Sequence, residues 1–162
     1  MKKLLTVILT LALLCTLSLA LFACTDPATP GDTSGDVEPV EKTMTLVLLD
    51  GDYVEEFTVD LDKLASSEQK STGLIAVLDY LKQTENLTYS TDSTGFLTQV
   101  NEIKQEGNKY IYLYTSVAKD ENLNQFASSI EYKGKKYPDS GVGAKDMTIE
   151  KDCVIIISVI VW

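Results

Sequence analysis

The chain opens on an almost entirely apolar run, Leu4 to Phe22, preceded by Lys2 and Lys3. The pattern changes abruptly at Thr25-Asp26-Pro27. A short cationic start, a long apolar stretch and the small residue Ala23 at its end have the layout of a secretory signal over residues 1–23. About 19 apolar residues also suffice to span a bilayer, so an uncleaved anchor helix is the alternative. Residues 24–42 carry neither helical nor strand periodicity. Pro27, Pro30 and Pro39 fall here, three of the four prolines of the chain. This composition predicts a disordered tether that lifts a domain away from a surface. At up to about 3.3 Å per residue its reach is on the order of 50–60 Å.

Regular patterning begins at residue 43 and runs to residue 162. Met44 to Leu49 is a strongly apolar run, and Asp50-Gly51-Asp52 follows. Beyond it, Phe57, Val59 and Leu61 alternate with Glu56, Thr58 and Asp60. Two strands around Asp-Gly predict a hairpin whose second strand is half-buried at a sheet edge. Leu74, Val77, Leu78 and Leu81 fall at i, i+3, i+4 and i+7, one face of a helix. Ser71 or Thr72 is placed to cap that helix, which should end between Thr84 and Asn86. Tyr89 to Gly95 reads as polar turn, Phe96 to Ile103 as one strand, and Lys109 to Val117 as another. Residues 119–129 read as loop, Lys133-Gly134-Lys135-Lys136 as a turn, and Ser140 to Ala144 as a glycine-rich connection. Cys153 to Val161 is apolar on both faces. Even with Trp162, ten residues are too few for a membrane helix, and the valine and isoleucine content favours a strand buried at a sheet centre. Apolar strands at both ends of the region, with a hairpin, one helix and further strands between, predict an α+β domain of the β-grasp kind. In it the first and last strands pair in parallel at the sheet centre and the helix crosses one face.

Composition narrows the chemistry. The chain has no histidine, 14 lysines without an arginine, and a formal net charge of -10. Lack of histidine removes Ser-His-Asp and Cys-His triads and the usual zinc sites. The acidic balance argues against a nucleic-acid partner, because phosphate contacts need clustered cations. An enzyme is therefore not expected, and no resident cofactor is.

Leu21-Phe22-Ala23-Cys24 resembles the lipobox of bacterial lipoproteins. The resemblance implies cleavage after Ala23, a diacylglyceryl thioether on Cys24 and anchoring at the outer face of the cell membrane. Two or more acyl chains hold stably, at about 0.8 kcal/mol per buried methylene. With Cys15 leaving in the signal and Cys24 acylated, only Cys153 stays in the domain and no internal disulfide is expected. Loss of Lys2 and Lys3 takes the formal charge of residues 24–162 to -12.

The order of elements over residues 43–162 carries a second resemblance. It comprises an apolar strand, a hairpin, the Gly73-Leu74-Ile75-Ala76-Val77-Leu78 helix, Tyr89-Ser90, Gly95-Phe96, the strand Tyr110 to Ser116, a glycine-rich loop and a terminal strand. This order is similar to the C-terminal β domain of transcobalamin and to bacterial domains of unknown function grouped with it on Gram-positive lipoproteins. The resemblance implies a β-grasp-like fold, no catalysis, and a ligand that includes cobalamin among its candidates. Without histidine, an imidazole from this chain cannot coordinate the cobalt.

Candidate contact residues follow from the aromatic strand. Tyr110, Tyr112 and Tyr114 alternate and so share a face, with Thr115 and Ser116 continuing toward a loop. Tyrosine offers a flat apolar ring and a polar tip, which suits a small ligand or a cell-surface protein. A tyrosine ladder packed beneath the helix, or serving as a β-favourable surface, is the alternative. Asp50, Asp52, Glu55 and Glu56 cluster at the first turn, but their spacing matches no calcium loop. Asp120, Glu121, Asn122 and Asn124 read as a solvated acidic loop. A small-ligand protein should show a concave site beside the tyrosines, and an interaction module a flat aromatic patch.

Overall fold

The computed structural model describes residues 41–162. The signal segment, Cys24 and all but the last two residues of the expected tether lie outside the described residues. Of those two, Lys42 contributes a C=O that accepts from Leu61 N–H at 2.8 Å.

The domain is a mixed α+β structure. Strands β1 (Thr43–Asp50) and β2 (Tyr53–Asp60) form the expected hairpin, with Gly51 at φ +59 in a two-residue turn. Strands β6 (Lys109–Thr115) and β9 (Val154–Val161) complete a four-stranded sheet of order β2-β1-β9-β6. β1 and β9 pair in parallel at its centre, Leu46 opposite Ile155 and Leu48 opposite Ile157. Their continuous apolar runs are explained by burial on both faces. Leu46, Leu48, Ile155 and Ile157 enter one core, and Val47 and Ile156 enter the other.

Helix α2 (Gly73–Thr84) covers the first of these faces, burying the predicted Leu74, Val77, Leu78 and Leu81. Its cap differs from expectation. No side chain caps it. Ser71 Oγ donates instead to Asp79 Oδ2 at 2.6 Å, and Thr72 Oγ1 donates to Lys145 C=O at 2.8 Å. Gly73 takes φ +59, and a Cβ there would lie 2.6 Å from the carbonyl oxygens of both Ala144 and Lys145. The start of α2 is thus seated directly on the backbone of residues 144–145, where only glycine fits.

A short helix, α1 (Leu61–Ser66), follows β2 and was not expected. Asp60 caps it, accepting from Asp62 N–H at 3.0 Å and Lys63 N–H at 3.1 Å. The stretch 89–103 also differs. Its polar first part is strand β3 (Tyr89–Thr91), and the single expected strand divides into β4 (Leu97–Val100) and β5 (Ile103–Lys104). The break is Asn101 at φ +46, a conformation asparagine tolerates. Its Oδ1 accepts from Thr88 N–H at 2.8 Å and its Nδ2 donates to Glu55 Oε2 at 2.9 Å. β3, β4 and β5 form a three-stranded sheet in that order, and Leu97, Val100 and Ile103 join the first core.

The second face of the main sheet is covered by a hairpin, β7 (Ser129–Tyr132) and β8 (Lys135–Pro138). Lys133 and Gly134 make its turn, at φ +48 and +72. Tyr137 of β8 packs with Tyr114, Val47 and Ile156. No helix among the described residues is long and apolar enough to cross a membrane.

Candidate functional site

β6 carries the tyrosine series at the outer edge of the main sheet. Ile111 and Leu113 turn toward the helix-side core, while Tyr112 and Tyr114 turn toward the hairpin side. The tyrosines therefore do not lie beneath the helix. Their exposure falls steeply along the strand, from Tyr110 at 41 % to Tyr114 at 3 %. Tyr112 and Tyr114 meet at 6.4 Å between ring centroids, tilted by 45°. Burial pushes the Tyr114 phenol above its ordinary pKa.

Thr115 and Ser116 serve the backbone. Thr115 is fully buried, and its Oγ1 accepts from Val117 N–H at 3.0 Å. Ser116 Oγ accepts from Val154 N–H at 2.8 Å, tying the end of β6 to the start of β9. Both border a small depression of 290 Å³ with Glu121, Lys135 and Asp152. Tyr114 borders neither this depression nor the larger cleft described next.

The larger cleft, of 840 Å³, lies along the outer edge of β6. Its floor is Tyr110, Ile111, Tyr112 and Leu113. One wall is the β3–β4 turn, from Asp92 to Leu97, and the other is the glycine-rich loop 139–146. Phe96 and Trp162 stand exposed at the rim, 67 % and 76 % accessible. This volume is within the range of small-molecule sites, roughly 300–1,000 Å³. Of the five candidate contact residues, Tyr110 and Tyr112 reach it. Phe96, Trp162 and the 139–146 loop are not among the contact residues expected from the sequence. Isolated aromatics and a glycine-rich turn carry no periodic signal, and only the fold brings them to one place.

Each wall is held by local hydrogen bonds. Asp92 Oδ1 accepts from Thr94 N–H, Thr94 Oγ1 and Phe96 N–H at 2.8, 2.7 and 3.0 Å. These bonds, led by the Thr94 hydroxyl, lower the carboxyl pKa. On the opposite wall, Ser140 N–H donates to Leu113 C=O at 2.7 Å and Gly141 N–H to Asp120 C=O at 2.8 Å. Asp120 is only 5 % exposed, so it is not the solvated residue the sequence implied. Its carboxylate accepts from Thr148 N–H and, at 3.0 Å, from Thr148 Oγ1, fastening loop 118–120 to the segment before β9. Asp139, equally buried, accepts from Asn122 Nδ2 at 3.2 Å through Oδ2. Its Oδ1 has no partner among the described residues. Asp92, Asp139 and Asp146 against Lys145 leave the cleft lining acidic.

Three of the four acidic residues at the first turn are paired. Glu55 accepts from Tyr53 Oη and Asn101, Glu56 pairs with Lys133 at 2.7 Å, and Asp50 lies 3.7 Å from Lys109. No group of three or more metal-ligating side chains occurs among the described residues. Cys153 is a free, buried thiol, and burial raises its pKa.

No family model matches the chain, and no curated protein matches it. Among solved structures, the chain is similar to that of a candidate metal-binding protein from Ruminococcus gnavus, at 14 % identity and a TM-score of 0.44, over 75 % of this chain and 99 % of that one.

Proposed function

We propose that this is an exported lipoprotein, anchored through Cys24 to the outer face of a Gram-positive cell membrane, with a non-catalytic binding domain of β-grasp type. The ligand occupies the cleft between β6, the β3–β4 turn and loop 139–146. The carrying observation is the 840 Å³ concavity beside Tyr110 and Tyr112, with Phe96 and Trp162 at its rim. A floor of two tyrosines, Ile111 and Leu113 between polar walls suits an amphipathic small ligand. The sheet order, with first and last strands central and parallel and α2 on one face, supports the β-grasp reading.

The transcobalamin resemblance makes a corrinoid the first ligand to test. Calorimetric titration with corrinoids up to high micromolar concentration should give saturable heat that Tyr110→Ala or Trp162→Ala reduces. Absence of heat removes the corrinoid. Mass spectrometry of the membrane-extracted protein should find a diacylglyceryl group on an N-terminal Cys24. An unmodified Cys24 overturns the anchor. One observation favours a second reading, a protein-interaction module at the cell envelope. Leu123 and Phe126 are 90 % and 83 % exposed on the loop after Asp120 and are not among the residues lining the cleft.

A further inference from the structure

β6 is an outer strand, and its main chain alternates between pairing with β9 and facing the cleft. Tyr110, Tyr112 and Tyr114 stand opposite Ile160, Ser158 and Ile156. The flanking bonds fix the alternation: Ser116 N–H donates to Val154 C=O, and Trp162 N–H donates to Asn108 C=O. Even-numbered residues from 108 to 116 thus point their amides at β9, and Lys109, Ile111, Leu113 and Thr115 point theirs outward. Part of this outer edge is already covered. Asp139 bridges to Tyr114, Ser140 N–H takes Leu113 C=O, and Lys109 N–H is held by Glu106 C=O at 3.0 Å. Between these points the N–H and C=O of Ile111 and the N–H of Leu113 face the cleft and have no backbone hydrogen-bond partner among the described residues.

We infer that the cleft takes an extended peptide segment bearing a basic side chain, which continues the strand begun by Asp139 and Ser140 along the outer edge of β6. This rests on the reading of the cleft as the ligand site and names the ligand class. Three features favour that occupant. Unpaired edge amides at the floor of a groove are the template for strand addition. The edge already accepts one short antiparallel segment, so its twist admits a neighbour. The lining holds Asp92, Asp139 and Asp146 against Lys145, and exposed Phe96, Tyr110 and Trp162 offer ring faces to an alkyl stem and its cation.

The test uses the detergent-solubilised full chain and three blocked pentapeptides. One alternates valine and lysine, one is the same peptide methylated on its central amide nitrogen, and one has glutamate for lysine. Affinity is read from Trp162 fluorescence, since the chain has a single tryptophan. Pairing is read from amide hydrogen exchange of β6. The lysine peptide should bind, slow exchange at Ile111 and Leu113, and lose about tenfold or more on methylation, the worth of one or two hydrogen bonds. The glutamate peptide should bind more weakly still. Ile111→Pro deletes the central edge donor and should reduce binding similarly; if it unfolds, the methylated peptide makes the same comparison on unaltered protein. Equal binding of the methylated peptide, equal binding of the glutamate peptide, or no binding of the lysine peptide at millimolar concentration overturns the inference. Corrinoid binding at the cleft with every peptide inert would overturn it while leaving the cleft as a ligand site. Peptide binding insensitive to Phe96→Ala and Tyr110→Ala would instead overturn the cleft as its location.

Discussion

Gly73→Ala tests the joint that holds one cleft wall to the helix. Two costs add there. An L-residue at φ +59 pays roughly 1–2 kcal/mol for the left-handed conformation. The new methyl would also stand 2.6 Å from two carbonyl oxygens, far inside ordinary contact. Both belong to backbone, so relief requires shifting loop 144–145 or the start of α2, at about 1–3 kcal/mol for overpacking. The sum is roughly 2–5 kcal/mol, a large share of a typical domain stability of about 5–15 kcal/mol. Gly51→Ala is the matched control. Gly51 has the same φ of +59, but a Cβ there meets nothing within 4 Å. It should cost only the conformational part. Urea denaturation of both variants separates the terms, with the difference in midpoint reporting the collision. If Gly73→Ala costs no more than Gly51→Ala, the seating of α2 on residues 144–145 is wrong, and so is the anchoring of that cleft wall.

Asp120→Ala should cost about 1–3 kcal/mol by thermal or urea unfolding, because it strips both Thr148 bonds and orphans the Thr148 N–H; a neutral substitution would contradict the burial of Asp120. Tyr53 and Tyr89 are pushed up to about 12, chiefly by burial and then by hydrogen bonds to Glu55 and Asp79. A raised phenol pKa stabilises the folded state below the ordinary value near 10, and that contribution is lost as pH climbs toward 12. Ultraviolet titration of phenolate should therefore show these two tyrosines ionising late, with unfolding accelerating across that window. Normal titration near 10 would refute it. Cys153 should resist alkylation in the native protein and react promptly in urea, as followed by peptide mass spectrometry. Fast native labelling would contradict its burial.

What the sequence disclosed divides along physical lines. Leu46 to Leu49, Ile155 to Ile157 and the 74–77–78–81 face were readable because burial imposes a period or an unbroken apolar run over many residues. Helix α1 was missed because its six residues are too few to display a period, though Asp60 supplied a capping signal. β3 escaped because Ser90 and Thr91 are exposed and polar. The division of β4 from β5 turns on one residue, Asn101, whose left-handed conformation is fixed by contacts to Thr88 and Glu55. At the site, alternation correctly put Tyr112 and Tyr114 on one face. It could not show that the β7–β8 hairpin would bury Tyr114, or that Thr115 and Ser116 would be spent on Val117 and Val154. The walls of the cleft are brought together by long-range pairing, of which a single sequence carries no periodic trace.

The central claim is that ligand binds along the outer edge of β6. The most direct measurement is residue-resolved amide hydrogen exchange, with and without a bound corrinoid or lysine-bearing peptide. Protection should rise at residues 92–97, 109–113 and 140–146 and stay unchanged in the β7–β8 turn at Lys133 and Gly134. Protection confined to Leu123 and Phe126, or spread over the hairpin with β6 unaffected, would contradict the claim.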